Sequence, residues 1–216
     1  MSAREEVLAR VRSALADVVQ PDPVLDVPIE WRYGRPIEMA DVLATFVEMV
    51  EDYKAVVRRV PAAEVPAAIA GLIGERGVSS MVLPAGVDAA WRKAVVDAGV
   101  TVHDDDPPLS RVELNSIDGV LTASRVSIAD TGTIVLDHRD DQGRRALSLV
   151  PDLHICVVRA DQVVSDVPEA VVRLQESIDA GRPLTWISGG SATSDIELNR
   201  VEGVHGPRTL LVILAE

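Results

Sequence analysis

One C-terminal segment organises the whole chain: Ile187-Ser-Gly-Gly-Ser-Ala-Thr-Ser-Asp-Ile-Glu-Leu-Asn-Arg-Val-Glu-Gly-Val-His-Gly-Pro-Arg208, set between two apolar runs, Leu184–Ile187 and Thr209–Leu214. Both runs are short and rich in aliphatic and β-branched residues, a pattern typical of strands buried on both faces. The polar segment between them is therefore predicted at an edge of the sheet, where open α/β sheets place their binding sites.

The first part of this segment predicts an anion-binding turn. Glycines allow a sharp turn with positive φ, and Ser194-x-x-Glu197 has the pattern of a capping box that begins a short helix. A strand, a glycine turn and a helix N-terminus together direct free N–H groups at an anion. The alternative is a plain strand-to-helix turn without a ligand. The candidate ligand-binding residues here are Gly189, Gly190, Ser191 and Thr193.

The end of the segment, Gly203-Val-His-Gly-Pro-Arg208, gathers an imidazole and a guanidinium directly before the closing strand. Arg208 is suited to hold a carboxylate or phosphate with two parallel hydrogen bonds, and His205 to move a proton near neutral pH. The alternatives are a surface ion pair for Arg208 and an ordinary loop hydrogen bond for His205. With Glu197, these two are the candidate catalytic residues.

Composition limits the class of protein. The chain has 216 residues, 47% of them hydrophobic but only 3% aromatic, so its core consists of Val, Leu, Ile and Ala, which favours a parallel α/β sheet over a β-sandwich. A net charge of −13 disfavours a general nucleic-acid role, because the phosphate backbone would be repelled. No apolar run is long enough to span a bilayer and the N-terminus does not resemble a signal peptide, so a cytoplasmic protein is expected.

The only cysteine, Cys156, lies in an apolar run and is predicted to be a buried small hydrophobe. A disulfide within the chain is impossible, and so is an iron–sulfur cluster held by four of its own cysteines. The acidic turn His103-Asp-Asp-Asp-Pro-Pro108 is interpreted as a solvated turn, since consecutive residues seldom all converge on one ion. We expect neither a metal nor a cofactor in this chain.

Two regions are expected along the chain, residues 1–35 and 36–216. Residues 2–18 have apolar side chains at helical spacing behind the capping box Ser2-x-x-Glu5, and a proline-rich linker follows. The apolar stripe of this helix needs a cover, which is either the main body or a neighbouring subunit of a homo-oligomer.

From Pro36 onward helical and strand patterns alternate. A helix is predicted from Pro36 to about Tyr53, and the strands and helices after it follow one another at the spacing of a mostly parallel, doubly wound sheet. The predicted strands are Lys54–Val60, Ser79–Leu83, Val100–His103, Val120–Ala123, a strand that follows the turn Asp130–Thr133 and ends at Leu136, Leu153–Val158, Leu184–Ile187 and Thr209–Leu214. The predicted helices are Ala62–Glu75, Val87–Ala98, Arg111–Ile117 and Val167–Ala180.

A second candidate anion site is the tight turn formed by Asp130, Thr131, Gly132 and Thr133, where successive N–H groups can form an anion nest. A plain β-turn is the alternative. The following residues 137–145, here called the polar loop, have the composition of a segment that folds over a site or contacts a partner; solvated surface is the alternative. His154, at the entry of a strand, is expected to be a structural hydrogen-bonder.

The chain lacks Gly-x-x-x-x-Gly-Lys-Ser/Thr, Gly-x-Gly-x-x-Gly and Gly-x-Ser-x-Gly. The first absence excludes a Walker-type phosphate loop, the second removes the usual dinucleotide fingerprint, and the third gives no support to Ser191 as a hydrolase nucleophile.

Three ordered motifs carry a family resemblance: Ile128–Leu136, Pro151–Ile155, and the pair Gly189–Glu197 and Gly203–Arg208. Residues 36 to 216 thereby resemble the lactate-utilisation protein C family, the LUD-domain proteins. The resemblance implies a fold similar to the ribose-phosphate isomerase, glucosamine-phosphate deaminase and CoA-transferase group. It also implies a part in oxidising L-lactate to pyruvate beside iron–sulfur partner proteins. One departure is Ser188-Gly-Gly-Ser-Ala-Thr193, where many relatives have a proline in the turn.

Three hypotheses remain open: a subunit of a lactate-oxidising assembly, a stand-alone enzyme on a small phosphorylated, carboxylated or CoA-type substrate, and a ligand sensor. All three expect the turns at Asp130–Thr133, Gly189–Ser191 and His205–Arg208 to meet over one crevice for a small anionic metabolite.

Overall fold

Six parallel strands form the main sheet of the computed structural model, which describes residues 2–18, 22, 36–194, 200–202 and 206–216. In chain order the strands are β1 Val56–Val60, β2 Ser80–Leu83, β3 Thr101–Asp104, β4 Gly119–Ala123, β5 Val126–Ile128, β6 Thr133–Leu136, β7 Leu153–Arg159, β8 Val163–Val164, β9 Thr185–Ile187, β10 Ala192–Ser194, β11 Arg200–Glu202 and β12 Thr209–Ala215. The helices are α1 Ala3–Ala14, α2 Val42–Asp52, α3 Val65–Arg76, α4 Ala89–Asp97, α5 Arg111–Asn115 and α6 Val167–Asp179. The main sheet has the order β1-β12-β7-β4-β2-β3, and the α/β class with a parallel sheet is confirmed.

The two faces of the main sheet pack against different layers. Alternate residues of β7, such as Ile155 and Val157, pack with α3 and α4, whereas Cys156 and Val158 point to the opposite face. There they pack with α2 through Phe46 and with the second sheet. Both faces of the central strands are thus buried, which explains their near-continuous apolar sequence.

A smaller mixed sheet, ordered β8-β5-β6-β9, covers part of this second face. It begins with a hairpin, β5 and β6, which leaves the main sheet after β4, and α6 packs on its far side. The sequence did not predict this sheet. Leu184–Ile187, predicted as a strand buried on both faces, is β9 at the edge of this sheet, paired antiparallel with β6, and its Trp186 is 43% exposed. That part of the prediction was wrong because a short apolar run does not reveal which sheet it joins.

Two predicted helix starts differ from the structure. The helix predicted from Pro36 begins at Val42, because Asp41 caps it by accepting a hydrogen bond from the backbone N–H of Ala44 at 2.9 Å. Ser194, predicted to cap a short helix, lies instead in β10, which pairs antiparallel with β11. Residues 195–199, including Glu197, lie outside the described residues.

The chain divides into two units, residues 1–33 and 34–216. In the first, α1 carries the predicted capping box: the Ser2 N–H donates to a Glu5 carboxylate oxygen at 2.6 Å, and the Glu5 N–H donates to the Ser2 hydroxyl at 3.3 Å. The predicted proline-rich linker lies almost wholly outside the described residues. None of the helices described is long and apolar enough to cross a lipid bilayer.

Candidate functional site

A cavity of about 230 Å³ lies between the two sheets and is here called the inter-sheet cavity. His154 of β7 and Leu210 of β12 contribute from the main sheet, and β9 contributes Thr185 to Ile187. Loop residues complete its lining: Arg145, Ser148, Ser188, Gly189, Gly190, Ser191, Gly206 and Pro207. His154 and Leu210 lie near the amino ends of their strands, so the cavity lies at that end of β7 and β12.

The structure brings two of the three predicted turns together at this cavity. The backbone N–H of Ser191 donates to the carbonyl oxygen of Pro207 at 2.8 Å. A Cβ on Gly190 would lie only 2.6 Å from the carbonyl oxygen of Arg208, so the two segments approach as closely as glycine allows. Gly189 has a φ of +84° and packs against Tyr53. The positive φ favours glycine at position 189, and the close approach to the Arg208 carbonyl oxygen favours glycine at position 190.

The third turn, Asp130–Thr133, does not line the cavity, although all four residues are described. Gly132 has a φ of +56°, and a Cβ there would lie 2.6 Å from the carbonyl carbon of Met49, so this glycine serves close packing on α2. The Thr133 hydroxyl lies 2.8 Å from that of Ser188, which does line the cavity. The expectation that all three turns meet over one crevice is therefore wrong for this turn, which supports the cavity wall from behind.

Arg208 makes a surface ion pair, one of the two alternatives for this residue. Its Nε lies 3.0 Å from Oδ1 of Asp152, the side chain is 64% exposed, and it does not line the cavity. Thr193 lies in β10. His205 and Glu197, the other candidate catalytic residues, lie outside the described residues.

Arg145, at the end of the polar loop, brings a positive charge to the cavity. One of its guanidinium nitrogens lies 3.4 Å from the Ser148 hydroxyl, and it has no carboxylate partner in the part of the chain that the structure describes. Burial of its guanidinium lowers the pKa of Arg145 below the ordinary arginine value, but a lowered arginine pKa still leaves the group charged at neutral pH. Its neighbour Arg144, in contrast, forms a two-point ion pair with Asp105 at 2.6 and 2.8 Å.

His154 lies at the floor of the cavity and is only 1% exposed. Its Nε2 lies 2.8 Å from the hydroxyl oxygen of Thr122 on β4, which agrees with the expected structural hydrogen bond. Burial, with a smaller contribution from the charge of Arg145, lowers the pKa of His154 to about 4. The imidazole is therefore neutral at physiological pH.

A second histidine, His138, ties the polar loop to the cavity wall. Its Nδ1 lies 2.8 Å from the carbonyl oxygen of Gly143, and its Nε2 lies 2.8 Å from the Thr185 hydroxyl. Since a carbonyl oxygen only accepts hydrogen bonds, Nδ1 carries a proton. Thr185 lines the cavity, so the polar loop is fixed directly at the cavity wall.

Within the described ranges, no group of three or more His, Cys, Asp and Glu side chains is placed to hold a metal ion. At the end of β3, Asp104 pairs with Arg92, and in the acidic turn that follows, Asp105 pairs with Arg144. The charges of these carboxylates are thus neutralised by arginines of the chain itself.

Together these features define an α/β protein in which a parallel sheet and a small mixed sheet flank a cavity that is lined by glycines, an arginine and a neutral imidazole. Residues 43–215 match the LUD domain family. The chain belongs to this family, as its three motifs suggested.

Individual relatives support the same assignment. The chain is 49% identical over 212 residues to the lactate utilization protein C of Deinococcus radiodurans, an alignment that covers 98% of this chain and 95% of that protein. It is 33% identical over 129 residues to the lactate utilization protein C of Geobacillus kaustophilus, with 56% of this chain and 53% of that protein aligned. A crystal structure of a DUF162 family protein from Deinococcus radiodurans is 48% identical, superposes with a TM-score of 0.72 and covers 84% of this chain and 100% of that one.

Proposed function

We propose that this chain acts in lactate utilisation and that its inter-sheet cavity binds a short carboxylate, L-lactate or its oxidation product pyruvate. The name of the Deinococcus relative, which aligns with nearly the whole chain, supports the metabolic role. The observation that carries the binding proposal is Arg145, a guanidinium at the cavity with no carboxylate partner among the described residues. A ligand carboxylate would supply that partner.

The geometry of the cavity suits a small anion. Guanidinium groups bind carboxylates with two parallel hydrogen bonds, and such charge-assisted bonds strengthen where water is partly excluded. In a chain with a net charge of −13, an arginine that has no carboxylate partner among the described residues is a local exception at this cavity, and it attracts anions. At about 230 Å³ the cavity also favours a metabolite of a few carbon atoms over a nucleotide.

Iron–sulfur partner proteins complete this proposal. Oxidation of L-lactate to pyruvate removes two electrons and two protons, and the electrons need a redox carrier. Clusters of this kind are held by several cysteines, while this chain has one, Cys156, buried in the main sheet. The chain would therefore bind the substrate or product beside partners that carry the electrons.

A different observation favours the alternative of an enzyme or sensor for a larger phosphorylated or CoA-type ligand. A groove of about 760 Å³ adjoins the carboxyl ends of β2 and β3 and is lined by four arginines, Arg92, Arg139, Arg144 and Arg145. Three of them pair with carboxylates of the chain, which leaves Arg145 for a ligand in the groove as well.

Isothermal titration with L-lactate, pyruvate, ribose 5-phosphate and CoA tests which ligand binds. We expect the two short carboxylates to bind, Arg145→Gln to weaken their binding about tenfold or more, and Arg208→Gln to leave it unchanged because that arginine pairs with Asp152. Binding of only the phosphorylated ligands would favour the alternative. If neither class binds, the cavity is not the site.

Reconstitution tests the metabolic role separately. Lactate oxidation would be measured with the iron–sulfur proteins of a native host, purified without oxygen, with and without this chain. We expect the rate to fall when the chain is omitted and to be restored by wild-type protein but not by Arg145→Gln. A rate that is independent of the chain would contradict the proposed role.

A further inference from the structure

The floor of the inter-sheet cavity contains a short row of polar groups that cross from β7 to β4. His154 Nε2 lies 2.8 Å from the Thr122 hydroxyl oxygen, which lies 3.7 Å from the sulfur of Cys156. The Cys156 sulfur in turn lies 3.8 Å from the carbonyl oxygen of Ala123. His154, Thr122 and Cys156 are all buried, so the row is shielded from bulk water.

The far end of this row sets the direction of its hydrogen bonds. Burial raises the pKa of the Cys156 thiol to about 12, so the thiol stays protonated. Its S–H group donates a hydrogen bond to the carbonyl oxygen of Ala123. The sulfur then accepts from the Thr122 hydroxyl, and the Thr122 oxygen accepts from His154 Nε2–H. In this direction every donor of the row has an acceptor.

The same direction fixes the tautomer of His154. The imidazole is neutral, because burial lowers its pKa to about 4, so a proton on Nε2 leaves Nδ1 with a bare lone pair. Among the described residues, the one side-chain hydrogen bond of the His154 ring joins Nε2 to Thr122, and His154 lines the cavity. Arg145, which is positively charged, lines the same cavity. Its charge favours the tautomer of His154 in which Nδ1 carries a lone pair over the tautomer in which Nδ1 carries a proton.

We infer that His154 determines the specificity of the cavity by accepting, at Nδ1, a hydrogen bond from the 2-hydroxyl group of a bound 2-hydroxy acid whose carboxylate is held by Arg145. This inference rests on the proposed function, since it needs a carboxylate in the inter-sheet cavity. Thr122 and Cys156 act as positioning residues, because they hold the tautomer without touching the ligand.

The inference predicts discrimination by hydroxyl donor rather than by size. Lactate has a hydroxyl group on carbon 2, pyruvate has a carbonyl oxygen there, and propionate has only hydrogen. A carbonyl oxygen facing a bare nitrogen lone pair gains no hydrogen bond, and a methylene group leaves that nitrogen without a partner. We expect L-lactate to bind about tenfold more tightly than propionate or pyruvate.

The experiment combines titration with NMR on the full chain. L-Lactate, propionate and pyruvate are titrated into wild type, His154→Leu, His154→Asn and Thr122→Val, and folding of each variant is checked by circular dichroism. The ¹⁵N shifts of the His154 ring in the ligand-free wild-type protein report directly which nitrogen carries the proton. Since these shifts need neither a ligand nor a variant, they test the tautomer even where a substitution disturbs folding.

We expect a proton on Nε2, a roughly tenfold lactate-to-propionate preference in wild type, and a preference near one in His154→Leu with propionate affinity unchanged. His154→Asn, which places an oxygen near the position of Nδ1, restores part of the preference. Thr122→Val reduces it because the tautomer is no longer held. A purely structural role for His154 would lower all three affinities together.

Two outcomes overturn the inference in distinguishable ways. A proton on Nδ1, or equal affinities for the three acids with binding still dependent on Arg145, would refute the role of His154 and leave the proposed carboxylate site intact. No binding of any of the three acids would refute the carboxylate site itself, and with it the inference.

Discussion

The backbone N–H of Ser191 donates a hydrogen bond to the carbonyl oxygen of Pro207 at 2.8 Å. This bond joins the glycine turn after β9 to the segment that enters β12, so it links the second sheet to the main sheet at the cavity. The contact requires a residue without a Cβ beside it, because a Cβ on Gly190 would lie 2.6 Å from the carbonyl oxygen of Arg208.

Replacing Gly190 with alanine is therefore expected to separate these two segments. The clash is with backbone and not with a flexible side chain, so the chain itself must shift. We expect a loss of about 1–3 kcal/mol in the free energy of unfolding, measured by urea denaturation, and weaker L-lactate binding.

Gly74→Ala is the matched control for that substitution. Gly74 lies in α3, and a Cβ there would meet nothing within 4 Å. Because alanine is the better helix former, this variant should gain about 0.5–1 kcal/mol and bind L-lactate as wild type does. Equal losses in both variants would show that the approach of Gly190 to Arg208 is not what matters.

The main sheet was predictable because its signals are local. From β1 to β4, each parallel strand is a short apolar run separated from the next by a helix with its own start and stop residues, so the order of these elements follows from the sequence. The second sheet was not predictable in the same way. Strands β5, β6 and β9 are three or four residues long, and the pairing of β6 with β9 joins segments about fifty residues apart along the chain, which no local pattern records.

The candidate site was predicted in part for a related reason. Glycines indicate tight turns, so Gly189 and Gly190 were predicted as candidate ligand-binding residues. The structure places both at the cavity. Arg145 and His154 were not selected as ligand contacts, because nothing in the sequence distinguishes Arg145 from its ion-paired neighbour Arg144, or a buried histidine that lines a cavity from one that does not. The Gly143-Arg-Arg145 motif in the polar loop was the one available signal for Arg145.

Asp137 provides a prediction about stability. This carboxylate is 0% exposed and accepts hydrogen bonds from the Ser177 hydroxyl at 2.6 Å and from Arg139 Nε at 2.8 Å. Burial alone would raise its pKa, but these hydrogen bonds and the charges of Arg139 and Arg125 lower it below the usual aspartate value. Asp137→Asn should cost about 1.5–3 kcal/mol in the free energy of unfolding, because it removes a buried charge that accepts hydrogen bonds from Ser177 and Arg139.

Glu176→Gln is the control, since Glu176 contacts the same two arginines, Arg125 and Arg139, from a side chain that is 71% exposed. Exposed ion pairs are worth about 0–1 kcal/mol, so this variant should be nearly as stable as wild type in the same urea titration. A similar loss in both variants would show that the burial of Asp137 is not what makes it important.

Asp41 tests where α2 begins. Its carboxylate accepts from the backbone N–H of Ala44, whereas the sequence pattern placed the helix start at Pro36. Asp41→Ala should cost about 1 kcal/mol in thermal or urea unfolding, and Glu38→Ala, which lies before the helix, should cost less. The reverse ranking would favour the earlier start.

The pH dependence of stability follows from His154. Its pKa in the folded protein is lowered to about 4 from an ordinary value of 6.5, so between these values the unfolded chain binds more protons than the folded one. Stability from this group is therefore fully present above about pH 6.5, decreases as the pH falls through this window, and levels off below about pH 4, a total of about 3 kcal/mol. Urea titrations across pH 4–7 would measure this decrease. The other titrating groups contribute to both wild type and His154→Gln, in which an amide can still bond Thr122, so the difference between the two proteins isolates the histidine. We expect that difference to change by about 3 kcal/mol across the window. Parallel curves would mean that His154 titrates in the folded protein as it does in the unfolded chain.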